Sequence, residues 1–501
     1  MSLVLALDFG TGGVRAGVYD VARRAIVGRA EAPYATTHPQ RGWAEQDPAE
    51  WWSALAPAVR GALAEADRND IAGVCVAATS STVVACRRDG TPLRPAILWM
   101  DCRAAAESQA TEQVSHPVLD YSGGGDAVEW LVPKAMWLAR HEPETWRAAE
   151  VVCEAVDLIN FRLTGRWAGS RLNATCKWNY DPRAGRFPPE LFDAFAVPDL
   201  LAKLPGAIVP VGAAVERMRP EVAALLGIAG TPLVAQGGID AHMGVFGAGT
   251  VAPGGMLMIG GTSVVHLTHA ARRPEVGGIW GPYPDALVDG LWLIEGGQVS
   301  AGAILTWLTD KIFGLDEAGA AALMAEAATA EVGATGLVTL DYWMGNRTPY
   351  RDPDLRGAIL GLSLWHDRAT LYRSAVEAIA LGSANVVAGL IAGGIPVDRF
   401  VLAGGICRNP AWVRATVDAI GLPVRIVSDD NLSLVGGAVS AATALGLFPD
   451  LETASTACAA PGALVEPDAA SHARYAGMLS LYREATETVA PIAHRLARAS
   501  R

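Results

Sequence analysis

The sequence predicts an α/β protein built from two related halves, and three observations carry that expectation. Short apolar runs at residues 3–7, 74–78, 233–235, 256–259, 400–403 and 424–427 alternate with alanine-rich helical stretches. Residues 399–427, "RFVLAGGICRNPAWVRATVDAIGLPVRIV", read as strand, glycine turn, helix and strand. The opening "LVLALDFGTGGVRAGVYD" (3–20) and the central "GGMLMIGGTSVVHL" (254–267) share one pattern: apolar run, Gly/Thr turn, apolar run. They lie half the chain apart, as in a duplicated fold with a cleft between the copies.

In the opening stretch, five apolar residues run into Asp8. Val14, Ala16 and Val18 then alternate with Arg15, Gly17 and Tyr19, the period of a strand. Gly10, Thr11, Gly12 and Gly13 form a tight turn between the two strands. Such a turn can aim N–H groups at an anion, though read alone it is also an ordinary hairpin. Residues 378–397, "AIALGSANVVAGLIAGGIPV", are uncharged and long enough to span a bilayer. Ser383, Asn385 and the "AGGIP" break favour instead a buried helix ending at Gly393. Further on, Asn409 is expected as N-cap, Pro410 as first helical residue and Gly421 as the stop. Gly404 and Gly405 then face a helix N-terminus, where N–H groups collect.

A chain of 501 residues exceeds one core and suggests two to three domains. Its net charge of −12 argues against a general nucleic-acid binder. The seven cysteines contain no CxxC pair, so neither a zinc ribbon nor a redox dithiol is indicated. An odd count in a long chain fits a reduced, cytoplasmic compartment. No basic n-region precedes the first strand, so no signal peptide and no membrane association are expected.

A Walker P-loop needs Gly-Lys-Ser/Thr, and none of the four lysines (Lys134, Lys177, Lys203, Lys311) follows a glycine. The opening turn lacks the last glycine of GxGxxG, and HExxH and GxSxG are absent. What remains is "VAQGGIDAHMGVFGAG" (234–249), where a strand ends at Gly237-Gly238 and Asp240 follows. Read alone, Asp240 is a helix cap. At a strand end beside the junction of two halves, it could take a proton from a hydroxyl attacking a phosphate.

Together, "DFGTGGVRAGVYD" (8–20), "GWAEQDP" (42–48), "GGIDAH" (237–242), "GGTS" (260–263) and "LAGGICRNPAW" (402–412) resemble the FGGY carbohydrate kinases. The motifs run in family order over essentially the whole chain. The resemblance implies an actin-like ATPase fold: two ribonuclease-H-like domains with mixed sheets flanked by helices, and the active site between them. It places an N-terminal domain at 1–243 and a C-terminal domain at 244–501. The segments "VEWLVPKAMWL" (128–138), "CKWNYDP" (176–182), "GGIWGPY" (277–283), "EGGQ" (295–298) and "GNRTPYRDP" (345–353) look like the ribulokinase branch. Two departures stand out: Ala135 follows Lys134 in the lysine-tryptophan signature, and Thr79-Ser80-Ser81-Thr82 replace the "QMHG" sugar contact of xylulokinases.

The family roles carry over residue by residue. Asp8 would hold Mg²⁺ through water, with Thr11, Gly12, Gly13 and Arg15 along the phosphates. Gly261, Thr262 and Ser263 would face the γ-phosphate of ATP. Gly302, Gly404, Gly405 and Asn409 would form the nucleoside pocket. Asp240 would be the catalytic base, with Lys177 and Glu295 on the sugar and Ser80, Ser81, Trp99 and Glu129 as further pocket candidates. A lysine supplies three donors and a glutamate accepts from hydroxyls, which is what a ketose needs. The expectation is ATP-dependent phosphorylation of a terminal hydroxyl of a small ketose or polyol, D-ribulose first. L-ribulose and D-xylulose follow, with a non-catalytic ATP- and sugar-binding regulator as the rival. Oligomeric state stays open, a homodimer included.

Overall fold

The computed structural model describes residues 2–428 and 431–499. They form two compact units. One runs from the N-terminus to Val251 and adds Gly281–Leu293 and Asn431–Ala460; the other holds the remaining described residues. The opening motif and the central one each seed a sheet.

In the first unit a six-stranded sheet runs Ala214–Arg217, Leu233–Ala235, Ile71–Ala78, Leu3–Phe9, Gly13–Asp20, Ala25–Pro33. Leu3–Phe9 is parallel to Ile71–Ala78, which is parallel to Leu233–Ala235, while the strands outside this trio pair antiparallel. Every residue of Leu3–Phe9 is buried, as expected of a central strand covered on both faces. Helix Pro48–Ala66 covers the sheet with Trp51, Leu55 and Val59; the Asp47 side chain caps it and Pro48 sits in its first turn. A smaller sheet, Glu45–Gln46, Ala96–Ile97, Val83–Cys86 and Val151–Glu154, builds a second core in this unit.

The second unit has a sheet in the order 294–298 (the end of strand Trp292–Gln298), Val264–Ala270, Gly254–Gly260, Val397–Ala403, Val424–Val427, Ala463–Val465. Gly254–Gly260, Val397–Ala403 and Val424–Val427 are parallel, with antiparallel partners on either side. Each sheet therefore centres on its first strand. A hairpin partner lies on one side of it, and two later parallel strands with an antiparallel edge lie on the other. This is the duplication that the repeated turn predicts.

The local expectations for the second unit hold. The apolar run lies in helix Arg368–Ala392, which starts at an Asp367–Thr370 capping box and ends at Gly393. It is long and apolar enough to cross a bilayer, but most of it is buried within the protein. Asn409 caps Pro410–Ile420 by accepting from the Trp412 amide at 3.1 Å, and Gly421 ends that helix at φ 74°.

One segment is not ordered by sequence. Helix Leu432–Ala444 belongs to the first unit, where it packs against helix Asp240–Ala248 and strand Leu3–Phe9. The two helices approach so closely that a Cβ on Gly436 would overlap the Met243 backbone, and one on Gly247 the Leu432 backbone. Gly389, on helix Arg368–Ala392, faces open space instead. Gly436→Ala should therefore lower unfolding stability by about 1–3 kcal/mol through overpacking. Gly389→Ala should raise it by about 0.4–1 kcal/mol through chain entropy and helix propensity. Denaturant melts of the two variants check both signs.

Candidate functional site

In the first unit the candidate residues gather at the carboxyl ends of the three parallel strands, where α/β proteins place their chemistry. The strand from Leu3 delivers Asp8 and the 10–13 turn, the strand from Ile71 delivers Ser80 and Ser81, and the strand from Leu233 delivers Asp240.

The opening turn is held from behind through its carbonyls. Tyr34 donates its backbone N–H to the Gly12 carbonyl at 3.2 Å and its hydroxyl to that of Gly10 at 2.5 Å. Gln46 donates to the Thr11 carbonyl at 2.7 Å, and the Trp99 indole donates to the Thr11 hydroxyl at 3.0 Å. None of these bonds uses the N–H of Thr11 or Gly12. Gly12 is exposed with nothing within 4 Å of a built Cβ, whereas a Cβ on Gly13 would meet the Ala32 carbonyl at 2.7 Å. The two glycines thus differ: Gly13 lets the hairpin close, and Gly12 leaves the surface of the turn clear.

Asp8 is fully buried and ion-pairs with Arg15, its cross-strand partner. It also accepts from the Ser433 hydroxyl at 2.5 Å, which uses Oδ2 and leaves Oδ1 buried without a partner. Nothing in the sequence pointed to Ser433, which arrives on the helix from the far end of the chain.

Asp240 opens helix Asp240–Ala248 as its first residue; Ile239 holds the cap position, without a side-chain cap. Its Oδ1 accepts from the amide of Ala241 at 2.7 Å. The preceding glycines are required by close packing. A Cβ on Gly237 would overlap the Val76 carbonyl, and one on Gly238 would lie 3.0 Å from Ser170 Oγ and Asn173 Oδ1. Asp240 is partly open at its surface, yet its carboxyl lies deep among protein atoms. Burial first, and then the charge of Asp8, hold it well above the usual carboxylate range.

The remaining first-unit candidates surround a buried carboxylate that sequence reasoning missed. Glu154 accepts from Ser81 Oγ at 2.7 Å, Trp178 Nε1 at 2.7 Å and Asn173 Nδ2 at 2.9 Å, and Asn173 also donates to Ser80 Oγ at 3.3 Å. Lys134 is fully buried and donates to the carbonyls of Ser81 and Leu98 at 2.8 and 2.6 Å; burial pushes its ammonium down to about 8. Ser81 is thereby a framework residue, its hydroxyl and carbonyl both engaged, while Ser80 is partly open. Lys177 is 4 % exposed, at the end of helix Arg171–Lys177, with Nζ 4.7 Å from the Trp130 ring centre. Glu129 is half-buried, and its charge bears on Lys134.

The second unit contains a cavity of about 380 Å³, a size suited to a small ligand. Gly261, Thr262, Gly302, Gly405 and Asn409, all expected at the nucleotide, line it. Gly302 approaches the 261–263 turn closely enough that a Cβ would meet the Gly261 carbonyl at 2.5 Å, and the amides of Ala301 and Ala303 bond the Thr262 carbonyl. Ser263 and Gly404 flank the cavity without lining it; Gly404, at φ 88°, lets the chain pass Gly260. Tyr372, Trp412, Thr306 and Thr309 also line it, the last within a π-helical turn at Trp307–Ile312. Tyr372 takes a hydrogen bond from Asn409 Nδ2 at 3.1 Å. Trp412 was within reach of sequence reasoning, being three residues beyond the expected cap; Tyr372 carried no signal. Glu295 is buried in this unit, on the strand that ends at Gln298.

Comparison with known proteins matches both halves of the chain to one family. Residues 3–247 match the N-terminal domain, and residues 256–445 the C-terminal domain, of the FGGY family of carbohydrate kinases. The chain is 32% identical to a ribulokinase of Mycolicibacterium smegmatis, covering 90% of this chain and 87% of that one. It is 30% identical to the human FGGY carbohydrate kinase domain-containing protein, covering 92% of each. Among solved structures, xylulose kinase from Rhodospirillum rubrum superposes with a TM-score of 0.87 at 29% identity, over 98% of this chain and 100% of that one. With both halves matched in order and the fold shared, the chain belongs to the FGGY family of carbohydrate kinases.

Proposed function

We propose that this carbohydrate kinase transfers the γ-phosphoryl group of ATP to a terminal hydroxyl of a small ketose or polyol, D-ribulose first. The observation that carries the reading is Asp240: a carboxylate at a parallel-strand end, beside Asp8, with an affinity for protons raised by burial. That is what a base taking a hydroxyl proton needs. The ribulokinase likeness favours a ribulose, and the xylulose kinase likeness keeps D-xylulose as the next substrate to try. We place the reaction in the cytoplasm, in keeping with an odd cysteine count that contains no CxxC pair.

In this reading Asp240 accepts the proton as the hydroxyl attacks. Lys177 donates to sugar oxygens, Glu295 accepts from hydroxyls, and Trp99 fixes Thr11 at the sugar's edge. The N–H groups of Thr11 and Gly12 receive phosphate oxygens, with Arg15 beside them and Gly261, Thr262 and Ser263 on the γ-phosphate. The cavity lined by Gly302, Gly405 and Asn409, with Gly404 shaping its rim, takes the nucleoside. Asp8 suits Mg²⁺: its Oδ1 is buried without a partner, and that ion is held by one or two carboxylates completed by water and phosphate. No cluster of three metal-ligating side chains exists among the described residues, which fits such a sparse site. When bound, the ion neutralises charge on the phosphates.

A coupled assay of ADP release over a panel of pentuloses and pentitols tests the function directly; ADP release that no sugar stimulates would overturn it. Asp240→Asn should reduce turnover by roughly 10²–10⁴ while leaving ATP affinity nearly unchanged. Because the folded carboxyl is the weaker acid, ionising it costs folding stability, fully so above its folded pKa and not at all below the unfolded one. The same variant should therefore melt higher than the parent at pH 8, with the difference fading toward pH 4, and wild-type kcat/KM should rise as Asp240 loses its proton.

Lys177→Met and Glu295→Gln should raise KM for sugar and spare sugar-independent ATP hydrolysis; a parallel loss of nucleotide binding would put them in the wrong pocket. Gly12→Val should keep the parent's melting temperature, because open space receives the side chain, yet raise KM for ATP. Normal kinetics in that variant would return the turn to a plain hairpin.

A further inference from the structure

The second unit holds another cavity, of about 310 Å³, on the far side of the helices that line the nucleoside cavity. Helix Glu317–Ala328 gives Met324 to the nucleoside cavity and Ala328 to this one. Helix Arg368–Ala392 gives Tyr372 to the first and Arg373 to the second. Helix Pro410–Ile420 gives Trp412 and Arg414 in the same way. Helix Ala469–Ala499 closes the second cavity with Arg474 and Tyr475.

Two buried polar groups stand together here. Arg373 is 6 % exposed and bonds Glu377 through Nε at 3.0 Å, with its guanidinium also beside the Tyr475 hydroxyl. The Tyr475 hydroxyl is buried beside that guanidinium, and no acceptor takes its own proton. Arg474 and Arg414 stand at the cavity paired with Glu331 and Asp418, and Asp468 adds a third carboxylate. A buried guanidinium with a phenol hydroxyl beside it suits an oxyanion of phosphate or carboxylate type. The carboxylates of Glu331 and Asp468 can accept from hydroxyls.

We propose that this cavity is a regulatory site for a sugar monophosphate, with the phosphate on Arg373, Tyr475 and Arg474 and the hydroxyls on Glu331 and Asp468. That is the chemical class of a sugar kinase's product. Because three helices are shared, occupancy shifts nucleotide affinity, and nucleotide shifts affinity for the sugar phosphate by the same factor. The assignment rests on the cavity's own chemistry, so it survives or fails independently of which sugar is phosphorylated.

Isothermal titration of the intact protein with D-ribulose 5-phosphate, with and without saturating ADP, tests it. Wild type should show a site that persists under ADP with a changed Kd. Tyr475→Phe and Arg474→Ala should each weaken that site by about tenfold or more. Their turnover and KM for ATP without added sugar phosphate should match the parent. Arg474 is exposed enough that its variant keeps the fold, which a melt verifies. Inorganic phosphate should bind the same site more weakly, and free ribulose should not bind it. A single binding event lost on adding ADP, variants that bind normally, or inorganic phosphate binding as tightly as the ester would each overturn the proposal.

Discussion

A carboxylate in the middle of a fully buried strand is expensive unless it is paired, because its charge loses water on every side. Asp8 stands in that position, and much of the first unit is arranged around it. Arg15 sits directly across the hairpin and neutralises it. Ser433 donates to it from a residue 425 positions away, so helix Leu432–Ala444 has to lie in the first unit although the chain reaches it last. That helix in turn packs on Asp240–Ala248 through glycine contacts, which fixes the start of the helix carrying Asp240. Asp8 and Asp240 are then close enough that one carboxylate raises the proton affinity of the other.

The two sheets solve one problem twice. Each places a short turn after a central strand, and the middle residue of each turn, Gly12 or Thr262, is the exposed one. The carbonyl groups of both turns are tied back into the protein, by Tyr34 and Gln46 in the first unit and by Ala301, Gly302 and Ala303 in the second. With carbonyls turned inward, amide hydrogens are the polar groups left to meet a ligand. This is the physical basis on which a glycine-rich turn becomes an anion site and not merely a tight corner.

The floor of the first unit depends on buried charge in another way. Glu154 takes three donors, and Lys134 gives hydrogens to two backbone carbonyls; both side chains are fully enclosed. Satisfied on this scale, such groups hold loops to fixed positions, and a removed partner leaves an uncompensated charge. The loop carrying Ser80 and the strand end before Trp99 are held in this way. Rigid support of that kind lets a pocket for hydroxyls, which have little charge to grip, discriminate by geometry.

The sequence by itself determined the elements and their caps, because these are local. Hydrophobic period marked the strands, Asn409, Pro410 and Gly421 marked one helix, and the repeated Gly/Thr turn marked the duplication. It also named Asp8, Asp240, Gly405 and Asn409, since turns and helix starts beside strand ends have a readable composition, whereas Gly302 came from the family resemblance alone. Tertiary structure alone decided the partners. Ser433, Glu154, Asn173 and Tyr372 carry no local signature, because each acts through a contact between distant elements. The placement of residues 431–460 in the first unit was invisible for the same reason: helix period tells which face is apolar, not which neighbour will cover it.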